Sequence, residues 1–143
     1  MRVEYLTELD ARFHVKADCG RRWRLIEPFI FTVDGERFEA PAYFWTDFAS
    51  IPRFIWPIIS PYELGKGPIP HDFGYFTGLK TKAFWDEVLR ACMEFDRIPA
   101  WKRRSAYRAV DLFGGPTWNR YRKQGAAPEQ LARITVRNPG ALA

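Results

Sequence analysis

The chain has 143 residues, the size of one domain, with 47% hydrophobic and 27% charged residues, a balance that excludes a disordered chain. Aromatic residues reach 17%, and the net charge is +5. The longest uncharged run, Phe54 to Tyr62, is interrupted by Pro57 and Pro61 and is far shorter than the ~20 apolar residues of a membrane-spanning helix.

Met1-Arg2-Val3-Glu4 lacks the apolar stretch of a signal peptide, so a soluble chain made in the cytosol, without membrane insertion, is expected. Cys19 and Cys92 are the two cysteines, too few for a four-thiolate zinc site and no disulfide framework. Cys92 lies in a helical apolar pattern and reads as a buried structural thiol.

The first forty-odd residues read as strands. Arg12 to Ala17 alternates, and Arg22 to Leu25 leads into Phe29-Ile30-Phe31-Thr32-Val33. Asp34-Gly35 supplies a two-residue hairpin turn, since both residues tolerate positive φ. The return strand is Glu36 to Ala40, stopped by Pro41. Residues 41 to 80 hold six of the eleven prolines and read as a Pro/Gly-rich central loop region. Thr81 is then a helix N-cap for a pattern carried by Phe84, Trp85, Val88, Leu89, Cys92 and Phe95. A second helix starts near Ala100, with Trp101, Ala106, Ala109, Val110 and Phe113 as its inner face, and stops at Gly114-Gly115-Pro116. The expected fold is α+β: an N-terminal antiparallel sheet with two C-terminal helices packed on it. Residues 1–124 form the expected domain, and 125–143 a polar tail.

Long irregular segments in compact domains are disproportionately functional. Asp47, Ser50, His71, Asp72 and Asp86 are the candidate catalytic residues, and Asp47, His71, Asp72 and Asp86 the candidate metal ligands. Asp47 and Ser50 either hold a sharp local turn or act as a base or ligand and a contact to substrate. With a short helix beginning at Pro70, Asp72 would sit in its first turn and gain from the macrodipole. One His and two or three Asp converging would bind a hard divalent metal or pair acid with base; the other reading is a buried hydrogen-bond network. No Gly-x-Ser-x-Gly elbow occurs, which argues against a conventional serine hydrolase.

The charge is uneven. Residues 97 to 123 carry eight basic side chains against one acid, Asp111. Arg103, Arg104, Arg108, Arg120, Arg122 and Lys123 are candidate partner-binding residues, and nucleic acid is one possible ligand of such a segment.

The order Thr46-Asp47-x-Ala49-Ser50-Ile51-Pro52, His71-Asp72-x-x-Tyr75, a helical Asp86 with Met93, then Tyr107, Val110, Phe113, Gly114 and Trp118 resembles a small bacteriophage and prophage family. That family is known as domain of unknown function 1353. The resemblance covers about residues 36 to 118. Family members usually read Asp-Gly-Ala-Ser where this chain has Phe48, and His-Asp-Tyr-Leu-Tyr where it has Phe73-Gly74; the polar positions survive both departures. The resemblance implies a phage or prophage origin and carries no activity. The leading expectation is a virion- or tail-associated structural or adaptor protein that binds other virion proteins and is assembled in the host cytoplasm. The alternative is a metal- or acid/base-dependent hydrolase of cell-wall peptide or glycan using the His71/Asp72/Asp86/Asp47 cluster. A nucleic-acid or host-factor binding module is the second alternative.

Overall fold

A computed structural model describes residues 1–16, 20–46 and 53–124. The strands are β1 (Val3–Tyr5), β2 (Ala11–Lys16), β3 (Gly20–Leu25), β4 (Phe29–Val33), β5 (Glu36–Ala40) and β6 (Trp45–Thr46). Single 3₁₀ turns at Arg53–Ile55 and Pro61–Glu63 lead to the helices α1 (Pro68–Thr77), α2 (Lys82–Phe95), α3 (Ala100–Phe113) and α4 (Gly115–Gln124). The protein is α+β, with antiparallel strands first and helices after, but the expected pair of helices is corrected to four among the described residues. The strands also divide into two three-stranded sheets, β1-β4-β5 and β2-β3-β6.

Both additional helices hide behind proline. Pro68 and Pro70 lie in the first turn of α1, where the N–H that proline lacks would have no intrahelical acceptor. Gly114-Gly115-Pro116 ends α3, and Gly115 and Pro116 then open α4. The same letters stop one helix and start the next.

Local chemistry explains the rest. Asp34 and Gly35 adopt φ of 49° and 84°, the paired left-handed conformation of a tight hairpin turn, and Val33 pairs with Glu36 across it. Along β4, Phe29, Phe31 and Val33 are buried while Ile30 and Thr32 are half-buried, the two-residue period of a strand with one face on the core. Thr81 caps α2 by accepting from Phe84 N at 3.1 Å.

The aromatic side of the β1-β4-β5 sheet meets α1 and α2. Phe31 and Phe38 lie 5.9 and 6.3 Å from Phe73, and Phe38 lies 5.3 Å from Trp85, all edge-to-face between ring centroids, the geometry that aromatic quadrupoles favour. A second cluster, Ile59, Leu64, Leu89, Met93, Ala106 and Val110, joins α2 and α3 to the chain ahead of α1. Ala106, Ala109 and Val110 are the buried face of α3, whereas Trp101 and Phe113, expected there, are exposed. Trp101 lies off that stripe at the first turn, and Phe113 meets Phe54 at the surface. Residues 125–143 and Cys19 lie outside the described residues.

Candidate functional site

α1 begins at Pro68, two residues earlier than expected. Asp72 is therefore past the first turn, which holds no acidic residue, and the expected macrodipole contribution is corrected. The helix repeat instead puts His71 and Tyr75, four apart, on one face, with Asp72 one position round. On α2, Lys82 and Asp86 are likewise four apart and joined at 2.6 Å.

Gly74 sets how closely these two helices approach. A Cβ on Gly74 would overlap the Trp85 indole, and Trp85 is fully buried with its Nε1 donating to the Leu79 carbonyl. Glycine at this place thus has a physical reason: the indole occupies the space a side chain on α1 would need.

The close approach brings the two polar pairs together. His71 Nε2 lies 3.0 Å from Asp86 Oδ1, and Tyr75 Oη donates to the same oxygen at 2.7 Å. The other oxygen accepts from Lys82 Nζ. Lys82 also donates to the carbonyls of Val110 at 2.9 Å and Asp111 at 3.3 Å, neutralising the C-terminal end of α3. The Tyr75 ring packs 4.2 Å from the imidazole and edge-on against Trp118 of α4. On the opposite side of the imidazole, Asp72 Oδ1 lies 3.9 Å from His71 Nδ1. Thr46 Oγ1 of β6 donates to Asp72 Oδ2. His71 and Asp86 are 0% and 1% exposed, Asp72 is buried at 9%, and Lys82, whose side chain is 20% exposed, is the member of the cluster nearest solvent.

The electrostatics assign the protons. Burial pushes the Asp86 carboxyl up, but hydrogen bonds from His71 and Lys82 outweigh it and hold the group below the ordinary carboxylate value. Asp86 is therefore an ionised acceptor, and His71 Nε2 carries a hydrogen. In the neutral imidazole the free lone pair is then on Nδ1, which is buried and has no hydrogen-bond partner. Burial pulls the imidazole pKa down, yet Asp72 and Asp86 outweigh it and raise the net value above 6.5. Tyr75 is raised by burial first and then by Asp86, so it stays a neutral donor.

Of the candidate residues, the fold brings His71, Asp72 and Asp86 together; Asp47 and Ser50 lie outside the described residues. The divalent-metal expectation is corrected: among the described residues, no group of three or more His, Cys, Asp or Glu could hold a metal ion. The oxygens of Asp86 are taken by His71, Tyr75 and Lys82. Lys82, Tyr75 and Thr46 were not among the candidates. The four-residue spacings His71–Tyr75 and Lys82–Asp86 were the available signal for two of them; nothing in the spacing announced Thr46.

Part of the basic segment has internal work. Arg122 donates to the Tyr75 and Phe76 carbonyls at 2.6 and 3.1 Å, closing the end of α1, and lies over the Trp118 ring. Arg103 donates to the Ile98 carbonyl, and Arg120 lies over Tyr121. Arg104, Arg108 and Lys123 are exposed.

An α+β scaffold that backs one histidine with an ionised, buried aspartate defines a candidate acid/base protein. The model of a family described as a protein of unknown function (DUF1353) matches residues 23–110, and the chain belongs to that family. No curated protein and no solved structure matches it.

Proposed function

We propose that the protein is a hydrolase in which His71 acts as a general base on water. The observation that carries this reading is the asymmetry of the imidazole: Nε2 is held by Asp86 at 3.0 Å while Nδ1 has no hydrogen-bond partner. A base oriented by a carboxylate on its far nitrogen is the arrangement that activates a hydroxyl or water for acyl transfer. Water at Nδ1 loses a proton to the imidazole as its oxygen attacks an ester or amide carbonyl. The imidazolium, stabilised by Asp86 and Asp72, then protonates the departing alkoxide or amine, giving an acid and an alcohol or amine.

This chemistry favours a carbonyl substrate over a glycan. Glycosidases place two carboxyl groups across the scissile bond, whereas Asp72 and Asp86 here flank the imidazole. A panel of chromogenic esters and anilides tests the reading. His71→Asn and Asp86→Asn should lower kcat/KM by about 10²–10⁴-fold, the contribution of a positioned base. Absence of turnover on every member of the panel refutes it.

A second reading is a phage- or prophage-derived adaptor that binds other virion proteins. The complete burial of His71 supports it, because a buried hydrogen-bonded network such as His71–Asp86–Lys82 also serves to specify one packing of the helices. Co-purification of virion proteins with His71→Asn as well as with the wild type, without ester turnover by either, is its expected result.

A further inference from the structure

The outer face of the β2-β3-β6 sheet carries a row of cations and rings that the candidate site does not use. Trp23, Leu25 and Thr46 mark the side of this sheet turned to the core, where Leu25 and Thr46 are buried and Trp23 packs on the aromatic cluster. Arg12 pairs with Arg24, and Arg24 with Trp45. By the two-residue period of a strand, that cross-strand row lies on the opposite side. Contacts between the side chains agree with this placement. The Arg24 guanidinium lies 4.8 Å from the Tyr43 ring centroid and 5.1 Å from that of Trp45, and the His14 ring meets Trp45 edge-on at 5.2 Å. Two features of this face cost stability. Arg12 and Arg24 are like charges directly opposite each other, and neither has an ion-pair partner among the described residues. Tyr43 has a φ of 69°, a region that bulky side chains rarely enter. Its N–H donates to the Leu25 carbonyl at 2.7 Å, its carbonyl accepts from Arg24 Nε, and its side chain stands 53% exposed.

We propose that this face binds single-stranded nucleic acid, with phosphates at Arg12 and Arg24 and bases stacked against Tyr43 and Trp45. The charge argues for the occupant: two facing arginines with no carboxylate beside them complement a chain of closely spaced anions. The rings on the same face complement flat unsaturated groups, and a single strand supplies both in alternation. A guanidinium held over two rings is also itself a plane on which a base stacks. A duplex keeps its bases in its own stack and polyphosphate has none, so neither engages the rings. Strain held at an exposed, ring-bearing position is of the kind that persists at ligand sites. This face is built from strands, owes nothing to the arginines of α3 and α4, and does not rest on the hydrolase reading.

The test is fluorescence anisotropy of the full chain with a labelled oligothymidylate of about 12 nucleotides, within the span of a small binding face, in competition with duplex DNA of the same length and with polyphosphate. The wild type should bind the single strand, and the duplex and polyphosphate should compete at least about 10-fold less well than unlabelled single strand. Tyr43→Gly and Trp45→Leu should each weaken binding by about 5- to 100-fold, the worth of one stacked base. Tyr43→Gly should do so with its urea midpoint unchanged or raised, because glycine carries no penalty at positive φ. Arg12→Gln and Arg24→Gln should each lower the slope of log affinity against log salt by about 0.7. Arg104→Gln with Arg108→Gln, on α3, should keep the wild-type affinity for the single strand to within about 3-fold, and His71→Asn should keep it as well. The proposal is overturned if the wild type does not bind the oligonucleotide, if duplex or polyphosphate competes as well as the single strand, or if Tyr43→Gly and Trp45→Leu bind as the wild type does. It is overturned equally if the α3 pair, rather than Arg12 and Arg24, carries the salt dependence.

Discussion

His71 Nε2 and Asp86 Oδ1 face each other at 3.0 Å across the junction of α1 and α2, fifteen residues apart in the chain. That single contact fixes which nitrogen of the imidazole is free. It also couples the chemistry of the site to the packing of the two helices, because the same carboxylate holds Tyr75 of α1 and Lys82 of α2.

The raised imidazole pKa has a direct kinetic consequence. Only the neutral ring is a base, so kcat/KM for a soluble ester should rise with pH through a value above 6.5. Asp86→Asn removes one of the charges that hold the pKa up and should move this limb to lower pH. A wild-type limb below 6.5 would contradict the assignment.

Stability should follow the same pair with opposite signs. The folded pKa of His71 is raised above 6.5, so its contribution is full below 6.5 and is lost as pH climbs through the folded value. The folded pKa of Asp86 is lowered from 3.8, so its contribution is full above 3.8 and is lost as pH drops through the folded value. Urea midpoints should therefore be higher at pH 5 than at pH 9, and His71→Asn should flatten that difference.

Lys82→Met removes one partner of a buried carboxylate and leaves two α3 carbonyls unpaired. Breaking a buried pair costs about 3–5 kcal/mol, and the partial exposure of the lysine side chain places the expected loss near the lower end of that range. Urea unfolding measures it; a loss under about 1 kcal/mol would show that water replaces the ammonium.

Gly74→Leu should be destabilising by about 3 kcal/mol or more, the upper end for overpacking, because the new side chain collides with the Trp85 indole. Adding Trp85→Ala should recover part of the loss, although Trp85→Ala alone is also costly. A double-mutant cycle measures the coupling, expected to exceed about 1 kcal/mol.

Arg122→Ala should cost about 1–2 kcal/mol, the range for hydrogen bonds from a charged donor reduced by exposure, since the guanidinium closes α1 at the Tyr75 and Phe76 carbonyls. Lysine should restore less than half, because its single ammonium replaces a planar fork that also lies over Trp118.

Much of the fold was legible where the signal was short in range. The Asp34-Gly35 turn, the Glu36–Ala40 strand and the Thr81 cap each depend on residues that touch their near neighbours. α1 and α4 were not legible, because proline and glycine mark both the stop of one helix and the first turn of another. The partition of six strands into two sheets depends on pairings such as Val3 with Val33 and Trp23 with Thr46, which no local pattern encodes.

The residue types alone singled out Asp47, Ser50, His71, Asp72 and Asp86 as the chemically distinctive groups of an α+β chain, since ionisable side chains amid aromatic ones need partners when buried; only the packing shows that His71, Asp72 and Asp86 meet. Their roles came from packing. The absence of a side chain at Gly74 lets Trp85 and α2 close on α1, which places the Asp86 oxygens between His71, Tyr75 and Lys82. Proton positions and pKa directions depend on distances of about 3 Å, and such distances exist only once helices separated in sequence are pressed together.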